Sequence, residues 1–155
     1  MAYLQPLLHL AQASLSGYSL FHAYISITNL QKYEKKTEKA AEWSRTAAQE
    51  LHKTRTTQTS GTLAILSSLV VALGLTFKAS SATFNTLFFN SINVAICYFA
   101  QNHIGNFWNG KAKVPFVQGY NDAITSTTII RNHLQLLGVG WAISSVVELF
   151  RVVRG

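Results

Sequence analysis

Apolar residues are concentrated in four segments of the chain, and shorter polar segments lie between them. The four segments cover roughly residues 3–30, 61–77, 84–100 and 124–150. Each is longer than an ordinary strand, which rarely exceeds ~10 residues, and each suits a helix of several turns. The pattern therefore predicts an all-α fold in which four helices run up and down beside one another.

Charged residues are distributed as unevenly as apolar ones. Residues 1–31 contain no Asp, Glu, Lys or Arg, and residues 56–110 contain only Lys78. Long uncharged stretches are rare in soluble domains, whose surfaces face water. The chain is therefore predicted to be a single integral membrane domain, residues 1–155, that forms a four-helix transmembrane bundle. The alternative is a soluble helical bundle.

Helix boundaries follow from the same pattern, and the predicted helices cover about residues 4–30, 37–77, 84–108 and 122–152. The first is interpreted as a retained helix, because it lacks the basic start and the short apolar run of a signal peptide. Residues 34–55 are rich in strong helix formers and contain no Gly or Pro. Helix two is therefore predicted to begin near Thr37 and to extend beyond the membrane into the cytosol.

Basic residues predict the orientation in the membrane. Residues 31–60 hold seven Lys and Arg and residues 111–122 hold two, whereas the opposite side has Lys78, Arg151 and Arg154. Cytosolic loops carry the excess of Lys and Arg, so both segments are predicted to face the cytosol. This asymmetry accounts for much of the net charge of +7. Nucleic acid is therefore not predicted as a partner, whereas the lipid bilayer is.

Polar residues within the apolar segments predict a semi-polar bundle centre. The third segment contains Asn85, Asn90 and Asn93, and the fourth contains an Arg-Asn-His sequence at 131–133. Polar side chains at membrane depth are costly and normally face the bundle interior or a water-filled cavity. We therefore expect the four helices to pack around these groups.

Histidines lie near one end of each helix, on the side predicted to be cytosolic. His22, His52, His103 and His133 occupy these positions, whereas His9 lies nearer the opposite face and is expected to be uninvolved. Histidine exchanges protons near neutral pH, so a shared acid–base site at the cytosolic mouth is predicted. No HxxxH, HxxH, ExxH or CxxC spacing marks a metal site, although metal dependence stays open.

The order of these features resembles a known family. The residues that carry the resemblance follow one another along the four apolar segments. They are Ser16-Gly17-Tyr18-Ser19 in the first segment, Trp43 and His52 in the charged segment that leads to Gly61 at the start of the second, Asn102 just after the third, and Arg131-Asn132-His133 in the fourth. In this order they resemble the anthrone oxygenase-like family, small four-helix membrane proteins of fungal polyketide pathways. The chain departs from the family pattern after helix three, where Gln101-Asn102-His103 replaces a Pro-Thr-Asn turn.

The resemblance implies a monooxygenase of secondary metabolite biosynthesis, located in the endoplasmic reticulum membrane. Its substrate would be a small planar aromatic polyketide such as anthrone, its co-substrate O₂, and it would need no other cofactor. The implied catalytic residues are His133, His22 and His52. The implied substrate-binding residues are Arg131, Asn102, His103, Asn132, Trp43 and Trp108. Charge-assisted hydrogen bonds from Arg131 and Asn102 would hold a developing enolate.

Two further interpretations remain open. The chain is also compatible with a non-catalytic subunit of a larger membrane complex or with a homo-oligomer, in which polar helix faces are protein contacts. A transporter is disfavoured, because no carboxylate is predicted to lie deep in a span. Glu148 is predicted to lie near the far end of helix four, where it can pair with Arg151. An enzyme predicts a closed, partly apolar pocket lined by several histidines, whereas a subunit predicts exposed polar faces.

Overall fold

The chain forms four long helices. A computed structural model describes residues 4–77, 84–113 and 118–154, and this part of the chain contains no strand. The helices are α1 (Leu4–Ala41), α2 (Arg45–Phe77), α3 (Phe84–Trp108) and α4 (Gln118–Arg154). The predicted all-α class is confirmed.

The helices form a closed ring in chain order. Each helix packs on the next one in the sequence, and α1 also packs on α4. The diagonal pair α2 and α4 meet over a small area only. Helices one and four are therefore neighbours, as the predicted site requires, and the seam between them is a candidate location for it.

The largest difference from the predicted boundaries lies at the first chain reversal. Helix α1 continues to Ala41 rather than ending near residue 30, and α2 begins at Arg45 rather than near Thr37. The side chain of Ser44 caps α2, because its Oγ accepts a hydrogen bond from the backbone N–H of Ala47 at 3.4 Å. Helix propensity correctly marked these residues as helical, but it carries no information about where the chain turns.

The helices expose many large apolar residues and bury many polar ones. Among the described residues, fifteen buried positions are apolar and fifteen are polar or charged. Twenty-six large apolar residues are exposed, including Phe77 at 87% and Phe99 at 70%. Soluble proteins bury such residues and rarely expose large contiguous apolar surfaces.

Two of the helices satisfy the length and hydropathy needed to cross a bilayer. They are α2 over Arg45–Phe77 and α4 over Gly119–Arg154. The predicted association with a membrane is supported to this extent.

Candidate functional site

Hydrogen bonds between buried polar side chains join the helices at the basic end of the bundle. The hydroxyls of Ser26 and Thr127 lie 2.8 Å apart across the α1–α4 seam. Gln58 of α2 donates its Nε2 hydrogen bond to Thr127 at 2.8 Å. The predicted polar interior is therefore present, and these three side chains form a polar layer across three helices.

Two of the four predicted histidines meet next to this layer. The rings of His22 in α1 and His133 in α4 have centroids 5.9 Å apart at an interplanar angle of 72°. Tyr18 places its ring edge-on to His22 with the centroids 4.8 Å apart. The same tyrosine ring lies 5.5 Å from that of His133. Residues from α1 and α4 therefore form a compact group of two imidazoles and a phenol.

The hydroxyl of Ser19 fixes the orientation of His133. Ser19 Oγ lies 2.9 Å from His133 Nδ1, and it donates its single proton to the backbone carbonyl of Leu15 at 2.6 Å. Because that proton is used, His133 Nδ1 must carry a hydrogen and donate to Ser19. In the neutral imidazole this leaves the lone pair on Nε2. His133 is thus held as a base that presents Nε2.

His22 has no such fixed partner. Both of its ring nitrogens are buried and have no hydrogen-bond partner among the described residues. Leaving a buried polar atom unpaired costs about 1–3 kcal/mol, so a molecule that hydrogen-bonds to these nitrogens would remove that cost. The His22 ring is therefore free to exchange a proton or a hydrogen bond with a ligand.

Arg131 lies on the other side of α4. Its Nη1 donates a hydrogen bond to Asn109 Oδ1 at 2.5 Å. Its guanidinium rests on Gly105, where a Cβ would come within 2.9 Å of Nε. Arg131 therefore contacts α3, whereas His133 contacts α1, and the predicted convergence of Arg131 with the two histidines is not found.

The remaining predicted residues are also dispersed. His103 Nδ1 lies 3.0 Å from Ser60 Oγ on the α2–α3 seam, across the bundle from the His22–His133 pair. The side chains of His52, Asn102 and Asn132 are exposed. Trp43 lies in the turn between α1 and α2 and is 90% exposed. The sequence predicts that these residues lie at a similar depth in the membrane. Whether two of them come into contact depends on the direction in which each side chain leaves its helix.

Trp108 is buried within the bundle. Only 6% of it is exposed, and its Nε1 donates a hydrogen bond to Thr57 Oγ1 at 2.9 Å. Its ring borders a cavity of about 200 Å³ at the basic end, which we call the mouth cavity. The residues that line it are Leu30, Glu34, Glu50, Leu51, Thr54, Phe107, Trp108, Lys111 and Tyr120.

The mouth cavity is separate from the histidines. None of the described residues that line it is a histidine, and the polar layer of Ser26, Gln58 and Thr127 intervenes along the bundle. A wider groove of about 690 Å³ on the α2–α3 seam includes His103. The closed pocket lined by several histidines, which an enzyme was expected to show, is not among these cavities.

A second polar cluster lies at the opposite end of the bundle, where no site was predicted. Glu148 is fully buried. Its Oε2 accepts hydrogen bonds from Arg151 Nη1 at 3.0 Å and from Gln5 Nε2 at 3.2 Å. Gln5 Nε2 also donates to the backbone carbonyl of Ser144 at 2.8 Å. The predicted pairing of Glu148 with Arg151 is present, and the carboxylate lies deeper than its position near the helix end suggested.

His9 belongs to this cluster and is not an isolated residue. Its Nδ1 lies 3.0 Å from Gln12 Oε1, and Gln12 Nε2 donates to Ser144 Oγ at 3.0 Å. The imidazole packs on Trp141 with the ring centroids 5.5 Å apart. His9 therefore joins α1 to α4 at the end of the bundle opposite the His22–His133 pair, and the expectation that it is uninvolved in that site stays a prediction. The spacing of Gln5, His9 and Gln12 on one helix face was the sequence signal that could have identified the cluster.

Comparison with known proteins adds no relative, since no protein-family model, no curated protein and no solved structure matches the chain. The resemblance to the anthrone oxygenase-like family therefore stays a prediction. Among the described residues no group of three or more His, Cys, Asp or Glu is placed to hold a metal ion. The candidate site is thus defined by geometry alone, as the His22–His133 pair with Tyr18 and Ser19.

Proposed function

We propose that all four helices span a membrane and that the His22–His133 pair lies within it. Large apolar side chains are exposed on every helix, for example Leu7 on α1, Leu66 on α2 and Val139 on α4. The interior meanwhile holds as many polar as apolar residues among those described. Lipid around an apolar exterior and hydrogen bonds within a polar interior satisfy both sets of side chains.

We further propose that the protein is a membrane-embedded oxygenase that acts on a planar aromatic, anthrone-like substrate. The observation that carries this is the oriented His133, whose Nδ1 is occupied by Ser19 and whose Nε2 is left as the base. Tyr18 and Phe21 beside the pair are both more than half exposed. A flat lipophilic molecule would therefore approach laterally from the bilayer, between α1 and α4.

The proposed reaction consumes one O₂ and releases one water. His133 Nε2 removes a proton from the CH₂ group of the anthrone, and the resulting carbanion transfers electrons to O₂ and forms a C–O bond. The peroxide takes up the proton and then loses water across the C–H and O–O bonds, which leaves the second carbonyl of an anthraquinone. His22 is placed to pass the proton on, because its ring centroid lies 5.9 Å from that of His133 and both its ring nitrogens have no partner among the described residues.

Replacement of His133 tests this function. His133→Ala is expected to lower the rate of anthrone oxidation about 10²–10⁴-fold, the usual contribution of a general base. Ser19→Ala should lower it less, because it removes the orienting partner and not the base. Gln135→Ala, an exposed residue on the same helix, is the matched control and should retain the wild-type rate. Full turnover by His133→Ala, or no oxidation by the wild-type protein, would contradict the proposal.

A non-catalytic membrane subunit is the second candidate, and one observation favours it. Asn102 and Asn106 are exposed on neighbouring turns of α3, near its end. Exposed amides next to lipid are costly unless another protein or the headgroups satisfy them. If a second chain covers this face, Asn106→Leu should lower the mass of the complex isolated in mild detergent. Mass unchanged from that of a monomer in both wild type and variant would exclude the interaction.

A further inference from the structure

The mouth cavity already contains a cation held by an aromatic ring and a carboxylate. Lys111, in the segment after α3, places Nζ 4.5 Å from the centroid of the Phe107 ring. The same ammonium forms an ion pair with the carboxylate of Glu50 in α2. The backbone N–H of Lys111 is bonded to the carbonyl of Trp108 at 3.1 Å, which anchors the chain beside the cavity.

The lining of the cavity combines aromatic rings with carboxylates. All four helices contribute to its wall, and Phe107, Trp108 and Tyr120 give it three aromatic residues. Cations are attracted to the faces of aromatic rings, and a nearby carboxylate adds to this attraction. Cages of aromatic residues with one acidic group are suited to amines and quaternary ammonium groups.

We propose that the mouth cavity binds a small organic ammonium group and that Lys111 occupies the same position when that ligand is absent. Glu50 would supply the charge that balances the ligand. The other carboxylate of the lining, Glu34, is already paired with Arg55. An anionic ligand is disfavoured, because it would meet both carboxylates and only one ammonium.

The ammonium group could belong to a free amine or to a choline or ethanolamine lipid headgroup. The chemistry recognised is the same in both, and the position of the cavity at the basic end of the bundle admits either. The site is separate from the His22–His133 pair, so its ligand is not the proposed oxygenase substrate. Failure of either proposal therefore leaves the other standing.

Substitution of Lys111 gives the decisive test, because the internal ammonium competes with the ligand. Binding of radiolabelled choline to the purified full-length protein is measured for the wild type and for Lys111→Met. Removal of a competitor that fills the site most of the time should raise choline affinity about tenfold or more. Glu50→Gln and Phe107→Leu, each combined with Lys111→Met, should reverse the gain. Lys113→Met, an exposed lysine two residues away, should leave affinity unchanged.

A measurement of bound phospholipid distinguishes a lipid headgroup from a free amine as the ligand. Lys111→Met purified from membranes should retain phosphatidylcholine or phosphatidylethanolamine, detected by mass spectrometry, if the ligand is a headgroup. Binding of choline without lipid retention identifies a free amine, and either result supports the site. Lys111→Gln provides a second variant if Lys111→Met does not fold. Absence of both choline and lipid from folded variants, or weaker binding after loss of Lys111, would overturn the proposal.

Discussion

Asn90 and Asn93 lie one turn apart on α3, and both are fully buried, but their hydrogen bonding differs. Asn93 Nδ2 donates to the backbone carbonyl of Phe89 at 2.9 Å, and its Oδ1 accepts from Ser67 Oγ at 3.3 Å. Neither side-chain atom of Asn90 has a partner among the described residues. An amide without partners in an apolar interior lowers stability, whereas a bonded one contributes to it.

Replacement by leucine is therefore expected to change the thermal stability in opposite directions at Asn90 and Asn93. Asn90→Leu should raise the thermal midpoint in detergent, because it removes an unpaired amide that costs about 1–3 kcal/mol. Asn93→Leu should lower the midpoint, because it removes two hydrogen bonds and leaves the Ser67 hydroxyl without its acceptor. Thermal unfolding of the two purified variants makes the comparison. Equal losses at both positions would show that Asn90 has a partner that fixes it.

The sequence predicts which residues lie near one end of the bundle, but it does not predict which of their side chains come into contact. His22 and His133, which were predicted to converge, do lie beside each other on helices one and four. Arg131 is two residues from His133 and yet faces α3, because neighbouring residues on a helix point about 100° apart at 3.6 residues per turn. The sequence predicts the pairing of Glu148 with Arg151 but not the partners of Glu148 on α1, because those contacts depend on which face of helix four packs on helix one.

Two glycines on α2 differ in what surrounds them, which makes the packing of this helix testable. A Cβ at Gly61 would lie 2.8 Å from Ile104 Cδ1 of α3 and 3.5 Å from Ile130 Cγ2 of α4. A Cβ at Gly74 would meet nothing within 4 Å. Gly61 thus permits the close approach of three helices, as small residues do in membrane bundles.

Substitution by leucine should separate the two positions. Gly61→Leu is expected to lower stability by about 1–3 kcal/mol or more through overpacking. Gly74→Leu should be neutral or stabilising, since it replaces a poor helix former on an open face. Monodisperse elution and thermal midpoint in one detergent provide the measurement. A Gly61→Leu variant as stable as Gly74→Leu would show that α2 does not pack on α3 and α4 as described.

Helices follow from the sequence more directly than the turns between them. The predicted α3 has the observed limits, Phe84–Trp108, because apolar residues and turn residues mark both of its ends. The α1–α2 turn was missed, since helix formers continue across it. Arg55 of α2 pairs with Glu34 and Glu38 of α1, a cross-helix contact that charge spacing within one helix does not reveal.

At the scale of the whole molecule, the four-span arrangement predicts which ends of the helices share a side of the membrane. With four spans, the turn around Ser44 and the segment around Lys113 lie on the basic side, and Leu4 and Arg154 lie on the other. If only α2 and α4 cross, Leu4 shares the side of Ser44. The position of Leu4 thus separates the two arrangements.

Cysteine labelling can read this topology with little background, because Cys97 is the single cysteine and is buried. Ser44→Cys, Leu4→Cys and Arg154→Cys are each treated in sealed microsomes with a membrane-impermeant maleimide. Ser44→Cys should be labelled directly, since the excess of Lys and Arg places its side in the cytosol. Leu4→Cys and Arg154→Cys should react only after detergent is added. Direct labelling of all three variants would limit the spans to α2 and α4, and direct labelling of Leu4→Cys and Arg154→Cys without Ser44→Cys would reverse the orientation.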